Sequence, residues 1–142
     1  MQISKNFNFY EFTKSETADR LGIDNTKLSL RVKDNIISLV ENILQPLRDE
    51  INCPIKINSG YRCNSLNVAV NGAVNSQHKL GLAADIKCTC LPPYELAKVI
   101  YRMNLPYDQL ILYPTFVHVS YSYRPRKQLL YNKSYNGPKI AN

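Results

Sequence analysis

"SQHKLGLAADI", residues 76–86 of a 142-residue chain, decides how the rest is read. It places His78, one of only two histidines, ahead of a glycine-punctuated turn, and then sets Asp85 among Ala83, Ala84 and Ile86. The apolar run around Asp85 reads as a buried strand. An ionised carboxylate in such a strand carries a heavy desolvation penalty unless something compensates it. The strand therefore calls for a cation beside Asp85. Gly81 allows the chain to turn between the loop that carries His78 and the strand, because glycine reaches backbone angles that other residues avoid. Ala83 and Ala84 let the strand lie close to its neighbours.

The other histidine lies in "TFVHVSY", residues 115–121. Strand alternation puts Phe116, His118 and Ser120 on one face and Val117, Val119 and Tyr121 on the other. Two imidazoles and a carboxylate, His78, Asp85 and His118, make a recognised three-ligand zinc set that leaves one coordination position open. Their separations match none of the short helix-borne zinc motifs. On the residues alone a plainer reading stays open, in which Asp85 caps a turn or pairs with Arg62 and both histidines are ordinary.

Outward from these strands the pattern is an α+β domain, with helices packed on one side of a small antiparallel sheet. Val32, Ile36, Leu39, Ile43, Leu47 and Ile51 recur at helical spacing and predict the longest helix over 28–51, with a kink or break at Pro46. Before it, Thr13 or Ser15 caps a short helix ending near Gly22. "CPIKINSG" alternates as a half-exposed strand. A short helix follows over 65–70, then the strand at Asp85, a helix opened by Pro92 and Pro93, and strands in "DQLILY" and "TFVHVSYSY". The expected organisation is one domain over 1–123 and a basic extension over 124–142, read as an extended arm loosely held at its end.

Composition limits the function classes. Eighteen Lys and Arg against eleven Asp and Glu give a charge of +7, which suits polyanionic surroundings such as nucleic acid, teichoic acid or lipid phosphate. No apolar run is long enough to span a bilayer. "MQISKNFNFYEF" has no apolar h-region and no small-residue cleavage site, so no secretory signal is expected. Ten tyrosines could stack on bases, but no helix-turn-helix, RNP or zinc-finger pattern accompanies them and nucleic acid is not an expected partner. Cys53, Cys63, Cys88 and Cys90 lack the density of a disulfide scaffold and read mostly as reduced core thiols. "CTC" at 88–90 could ligate a metal, but it follows no common zinc spacing and Leu91, Pro92 and Pro93 come straight after it.

"INSGYRCNSLNVAVNGAVNSQHKLGLAADI" together with "YDQLILYPTFVHVSY" resembles the zinc D-alanyl-D-alanine carboxypeptidase family. That family has the Hedgehog/DD-peptidase fold and is of the peptidase M15 type, subfamily A; the nearest branch, the phage endolysin type, reads SGYR, LN-x-AV-x-G, SQH-x-x-G-x-AADI and W-V-H-V-S. "FYEFTKSETADRLGIDN" and "ILQPLRDEINCPI" also look like this branch, so the likeness runs from about Phe7 to Tyr123. It implies that His78, Asp85 and His118 are zinc ligands. It also implies that Arg62 faces the substrate carbonyl or carboxylate, where a fixed guanidinium stabilises an oxyanion. Ser76 and Gln77 match the SQH pattern and are expected to bind substrate or orient a ligand; Tyr61 and Asn67 match as well, and Tyr61 is carried as a substrate-binding residue.

The same resemblance implies hydrolysis of peptidoglycan stem peptides, at D-alanyl-D-alanine ends or at an endolysin-type bond. It implies a phage-associated monomer, present in the producing cell's cytoplasm or in the virion and acting at the cell wall. In one respect the chain departs from the family. Amide hydrolysis needs a base for the attacking water and an acid for the leaving amine, and the family places a Glu or Asp shortly before the last histidine. Here "LILYPTFV" has no carboxylate, and Tyr113 stands at the expected position. Asp108 and Tyr113 are the remaining candidates for proton transfer. The alternative is a zinc-bearing but catalytically weak module that binds the wall or forms part of a virion.

Overall fold

In the computed structural model, which describes residues 1–140, the chain opens with a small hairpin of β1 (Gln2–Ser4) and β2 (Phe7–Asn8). Two short helices follow, α1 (Tyr10–Thr13) and α2 (Glu16–Leu21). Ser15 caps α2 as expected, its hydroxyl accepting from the Ala18 N–H at 3.1 Å. The predicted long helix is one run in three registers: α3 (Leu30–Leu39), a π-helical turn (Val40–Leu44) and α4 (Gln45–Ile51). Pro46 contributes no N–H and its ring crowds the carbonyl four residues back. The irregularity falls just before the proline, where Gln45 N–H bonds to the Val40 carbonyl five residues earlier. Ile36, Leu39, Val40, Ile43, Leu44 and Leu47 are fully buried along this run.

The remaining elements are β3 (Ile55–Ser59), α5 (Asn64–Ala69), a 3₁₀ turn (Gln77–Leu80), β4 (Ala83–Cys88), α6 (Pro93–Arg102), β5 (Tyr107–Leu112), β6 (Val117–Tyr121) and β7 (Gln128–Tyr131). The last five strands form one sheet in the order β3-β4-β6-β5-β7. The fold is α+β, and the first four of these strands pair antiparallel as expected; β7 pairs parallel to β5 and makes the sheet mixed. Period-two alternation divides the sheet into two faces. Ile55, Ile57, Ala84, Ile86, Leu110, Leu112, Val117 and Val119 join the long helix and α6 in a single core. The intervening residues face away from that core. No helix among the described residues is long and apolar enough to cross a membrane.

Two expectations are corrected. The segment after residue 123 is not a loose arm: it supplies β7, and it is fastened by side chains on both flanks of that strand. Lys127 Nζ bonds to Asn104 Oδ1 and the Leu105 carbonyl, at 2.6 and 2.9 Å. Lys139 lies 4.0 Å over the Tyr131 ring, and the buried Ile140 donates its N–H to the Tyr131 hydroxyl. The boundary expected at 123 therefore marks no edge in the packing; residues 141 and 142 lie outside the described residues. The cysteines, in turn, are not all thiols, since Cys53 and Cys90 form a disulfide. Antiparallel pairing of Ile55 with Cys88 brings the residue two before β3 and the residue two after β4 to the same end of the sheet. Their Cα atoms are 6.4 Å apart, within disulfide reach. A contact set by strand register over 37 positions leaves no mark in cysteine spacing.

Gly81 has φ +76°, in the left-handed region, and a Cβ built there would lie 3.0 Å from Val32 and Ile36 of α3. Gly81→Ala combines backbone strain with crowding against a packed helix, so it should destabilise the fold by more than about 1 kcal/mol. Urea unfolding of the two proteins at equal m-value checks this.

Candidate metal centre

Strand register builds the site. Ser59 pairs with Asp85, Asp85 with His118, and His118 with Ile111, so one row of side chains crosses four strands on the face away from the core. The 3₁₀ turn brings His78 over this row. Its Nδ1–H donates to the Gly60 carbonyl at 2.7 Å, which fixes the tautomer and turns Nε2 towards Asp85, 3.3 Å from Oδ1. Gly60 itself has no room for a side chain: a Cβ there would lie 2.8 Å from the Phe12 backbone. His118 Nδ1 lies 2.9 Å from the same Asp85 oxygen. One donor atom from each of His78, Asp85 and His118 falls within 4.8 Å of the others, so the three can hold one metal ion. Nitrogen, oxygen and nitrogen donors suit zinc.

Arg62 completes the cluster. Its Nη2 is 3.5 Å from Asp85 Oδ2, its Nε–H donates to Ser59 Oγ at 3.1 Å, and Nη1 donates to Asn67 Oδ1 at 3.3 Å. The two readings left open for Asp85 thus meet in one place, since it faces both imidazoles and the guanidinium. Burial pushes the Asp85 carboxyl up, but its contacts with His118 and His78 outweigh it and hold the group well below the usual carboxylate range. Burial also lowers Arg62, with Asp85 and Tyr113 opposing.

An open cavity of about 550 Å³ lies over the row. Arg62, Ser76, Gln77, His78, Asp85, Tyr113 and His118 line it, and so do Asn71, Asn75, Gln109 and Arg126. Tyr113 stacks on Phe116 at 4.3 Å, and burial followed by the Asp85 charge raises its phenol above the ordinary value, with Arg62 opposing. Tyr61 does not line the cavity. It packs against the core, and its backbone bonds to Phe12 and to Asn25.

Asp108 does not reach the cavity either. It is 3 % exposed, and its oxygens accept from Gln77 Nε2 at 3.0 Å, Arg126 N–H at 2.8 Å and Arg126 Nη2 at 2.7 Å. A carboxylate engaged in this way positions its neighbours. Among the described residues, Asp85 is the one carboxylate on the cavity wall.

Sequence reasoning missed two residues that shape the site. Asn25 is buried, donates to the Thr13 and Tyr61 carbonyls at 2.9 Å and accepts from Cys63 N–H at 2.8 Å, so it pins the loop that carries Arg62. Its only signal was the "GIDN" that followed α2. Arg126 was read as one of several basic tail residues, and nothing local distinguished it.

A cleft that gathers two imidazoles and a carboxylate able to hold a metal ion beneath a fixed guanidinium has the equipment for polarising and hydrolysing a carbonyl compound. The chain belongs to the peptidase M15 family, whose profile matches residues 5–120. No curated protein matches the chain.

Asp108→Asn should loosen β7, because the Arg126 clamp loses its charge; faster amide exchange over 128–131 checks this. Hydrogen bonds from Arg126 hold Asp108 below its ordinary value of about 4. A group lowered by folding contributes stability that is complete above the unfolded value and lost as pH falls through the folded one. Protection of β7, corrected for intrinsic exchange rates, should therefore hold above about pH 4 and decline below it.

Proposed function

We propose that this chain is a zinc peptidase that hydrolyses peptide bonds in the stem peptides of bacterial peptidoglycan. The observation that carries the reading is the convergence of His78, Asp85 and His118 beneath Arg62 on the wall of an open cavity, in a chain of the peptidase M15 family. His78 Nε2, an Asp85 oxygen and His118 Nδ1 would hold the ion. A zinc ion bound there supplies Lewis acidity, which polarises a peptide carbonyl and acidifies water.

The chain's own groups do the rest. Arg62, held by Ser59 and Asn67, presents its guanidinium to the carbonyl oxygen that gains charge during attack. Ser76, Gln77, Asn71, Asn75 and Gln109 offer hydrogen-bonding groups of the kind that align an extended peptide. Tyr113 stays a protonated phenol at neutral pH, since its shift is upwards, so it serves as a donor to the oxyanion or the leaving amine. Asp108 acts through Gln77 and Arg126 as a positioning residue. The +7 charge supports residence on a polyanionic wall. The likeness of residues 76–86 to the endolysin-type branch supports a phage-associated monomer acting there.

A second reading has one observation in its favour. No carboxylate other than Asp85 lines the cavity among the described residues, and this suits a wall-binding module with weak or no turnover.

Digestion of purified peptidoglycan, with and without a chelator, followed by mass analysis of released fragments, separates the two. A peptidase releases peptide fragments, stops when the metal is removed and recovers with zinc. His78→Ala should bring release to background. A binding module sediments with the wall and releases nothing under any condition. Tyr113→Phe should lower kcat by about 10²–10³ with little change in KM if the phenol serves the oxyanion. An unchanged kcat in a confirmed peptidase would remove Tyr113 from the mechanism.

A further inference from the structure

The sulfur atoms of Cys53, Cys88 and Cys90 lie within 4.8 Å of one another at the end of the sheet, apart from the histidine centre. Cys53 is buried, Cys88 half-buried and Cys90 exposed. Cys53 and Cys90 are joined, while Cys88 is a free thiol. The grouping follows from the fold, because Cys88 is the last residue of β4 and its partner Ile55 lies two residues after Cys53. Two surface cavities, of about 440 and 430 Å³, both reach Cys88 and Thr89, so Cys88 is open to small solutes from two sides. Lys87 lines both cavities and Lys56 one of them. The Thr89 hydroxyl lies 3.8 Å from the Cys53 sulfur and 4.0 Å from that of Cys90.

A single disulfide does not need a third sulfur beside it. With metal–sulfur bonds of about 2.3 Å, the sulfurs of a tetrahedral zinc site stand roughly 4 Å apart; Cys88 already lies within 4.8 Å of both other sulfurs, and breaking the Cys53–Cys90 bond frees those two to part to that spacing. We propose that the reduced protein binds a zinc ion through the Cys53, Cys88 and Cys90 thiolates. The site opens in two balanced steps. A dithiol reductant gives two electrons and two protons to the Cys53–Cys90 bond and leaves as its own disulfide. Zinc then displaces three protons from three thiols and forms three metal–sulfur bonds, with water or the Thr89 hydroxyl left to fill the fourth position. Residues 53 and 90 are tied in either condition, covalently under oxidising surroundings and through the ion under reducing ones.

The test uses His78→Ala protein, so that the histidine centre does not report. Reduced with a phosphine and desalted without oxygen, it is titrated with cobalt(II), and then with zinc, which should displace the cobalt. The expected result is one equivalent of cobalt per chain, with thiolate-to-cobalt charge-transfer absorption, and protection of three thiols from alkylation. The same protein left oxidised should show no such absorption. Adding Cys88→Ser, which leaves the disulfide pair intact, should weaken binding at least tenfold in the reduced state. Absence of charge transfer in the reduced protein, or absorption unaltered by Cys88→Ser, would overturn the proposal. Oxidised protein with His78 intact reports the histidine centre alone, so failure at one site is distinguishable from failure at the other.

Discussion

The arrangement depends on keeping one carboxylate ionised inside a sheet. Asp85 is 8 % exposed and flanked by Ala84 and Ile86 on its own strand, and its contacts with two imidazoles hold it charged against its burial. The surrounding architecture serves this group. Antiparallel register sets His118 directly across from it, the Gly60 carbonyl aims the ring of His78, and Ser59 and Asn67 hold Arg62 alongside. A slip of one residue between β4 and β6 would send His118 into the apolar core and leave Asp85 facing Val117 or Val119. Sheet pairing and site assembly are thus the same event.

Local patterning made a good part of this readable. The apolar stripe of the long helix, the alternation around His118 and the charged residue in an apolar strand each reflect a period imposed by backbone geometry, and each appears where the pattern put it. Ser15 and Gly22 bounded α2 because capping chemistry acts within a few residues. What escaped reading depends on contacts between distant segments. The Cys53–Cys90 bridge, the parallel addition of β7 and the Arg126–Asp108 clamp all join positions whose neighbours carry no periodic signal. Asp108 shows the difference well. Its residue type suited a proton carrier, yet the partners that occupy its oxygens come from the 3₁₀ turn that carries His78 and from the segment after β6, and neither is visible from "YDQLI".

The clamp also ties the cavity to a part of the chain beyond the family profile. Gln77, next to the first histidine, bonds to one oxygen of Asp108, and Arg126, in the cavity wall, bonds to both. The loop that carries His78 and the strand that closes the sheet are thereby held by one buried charge. Its loss would move the cleft wall without touching His78, Asp85 or His118. Cleft geometry and tail attachment are coupled through Asp108, although its carboxylate never meets the cleft.

The parallel pairing of β7 with β5 has a further consequence for how the chain is handled. Without its last strand, the sheet would end at β5, and the peptide groups of Leu110, Ile111 and Leu112 would be left with unmet hydrogen-bonding capacity along an apolar margin. Bare strands of this kind recruit strands from other molecules. A fragment trimmed to the matched region would therefore be prone to self-association through that margin, and insolubility in such a fragment would reflect the missing cover rather than a failure of the centre to form.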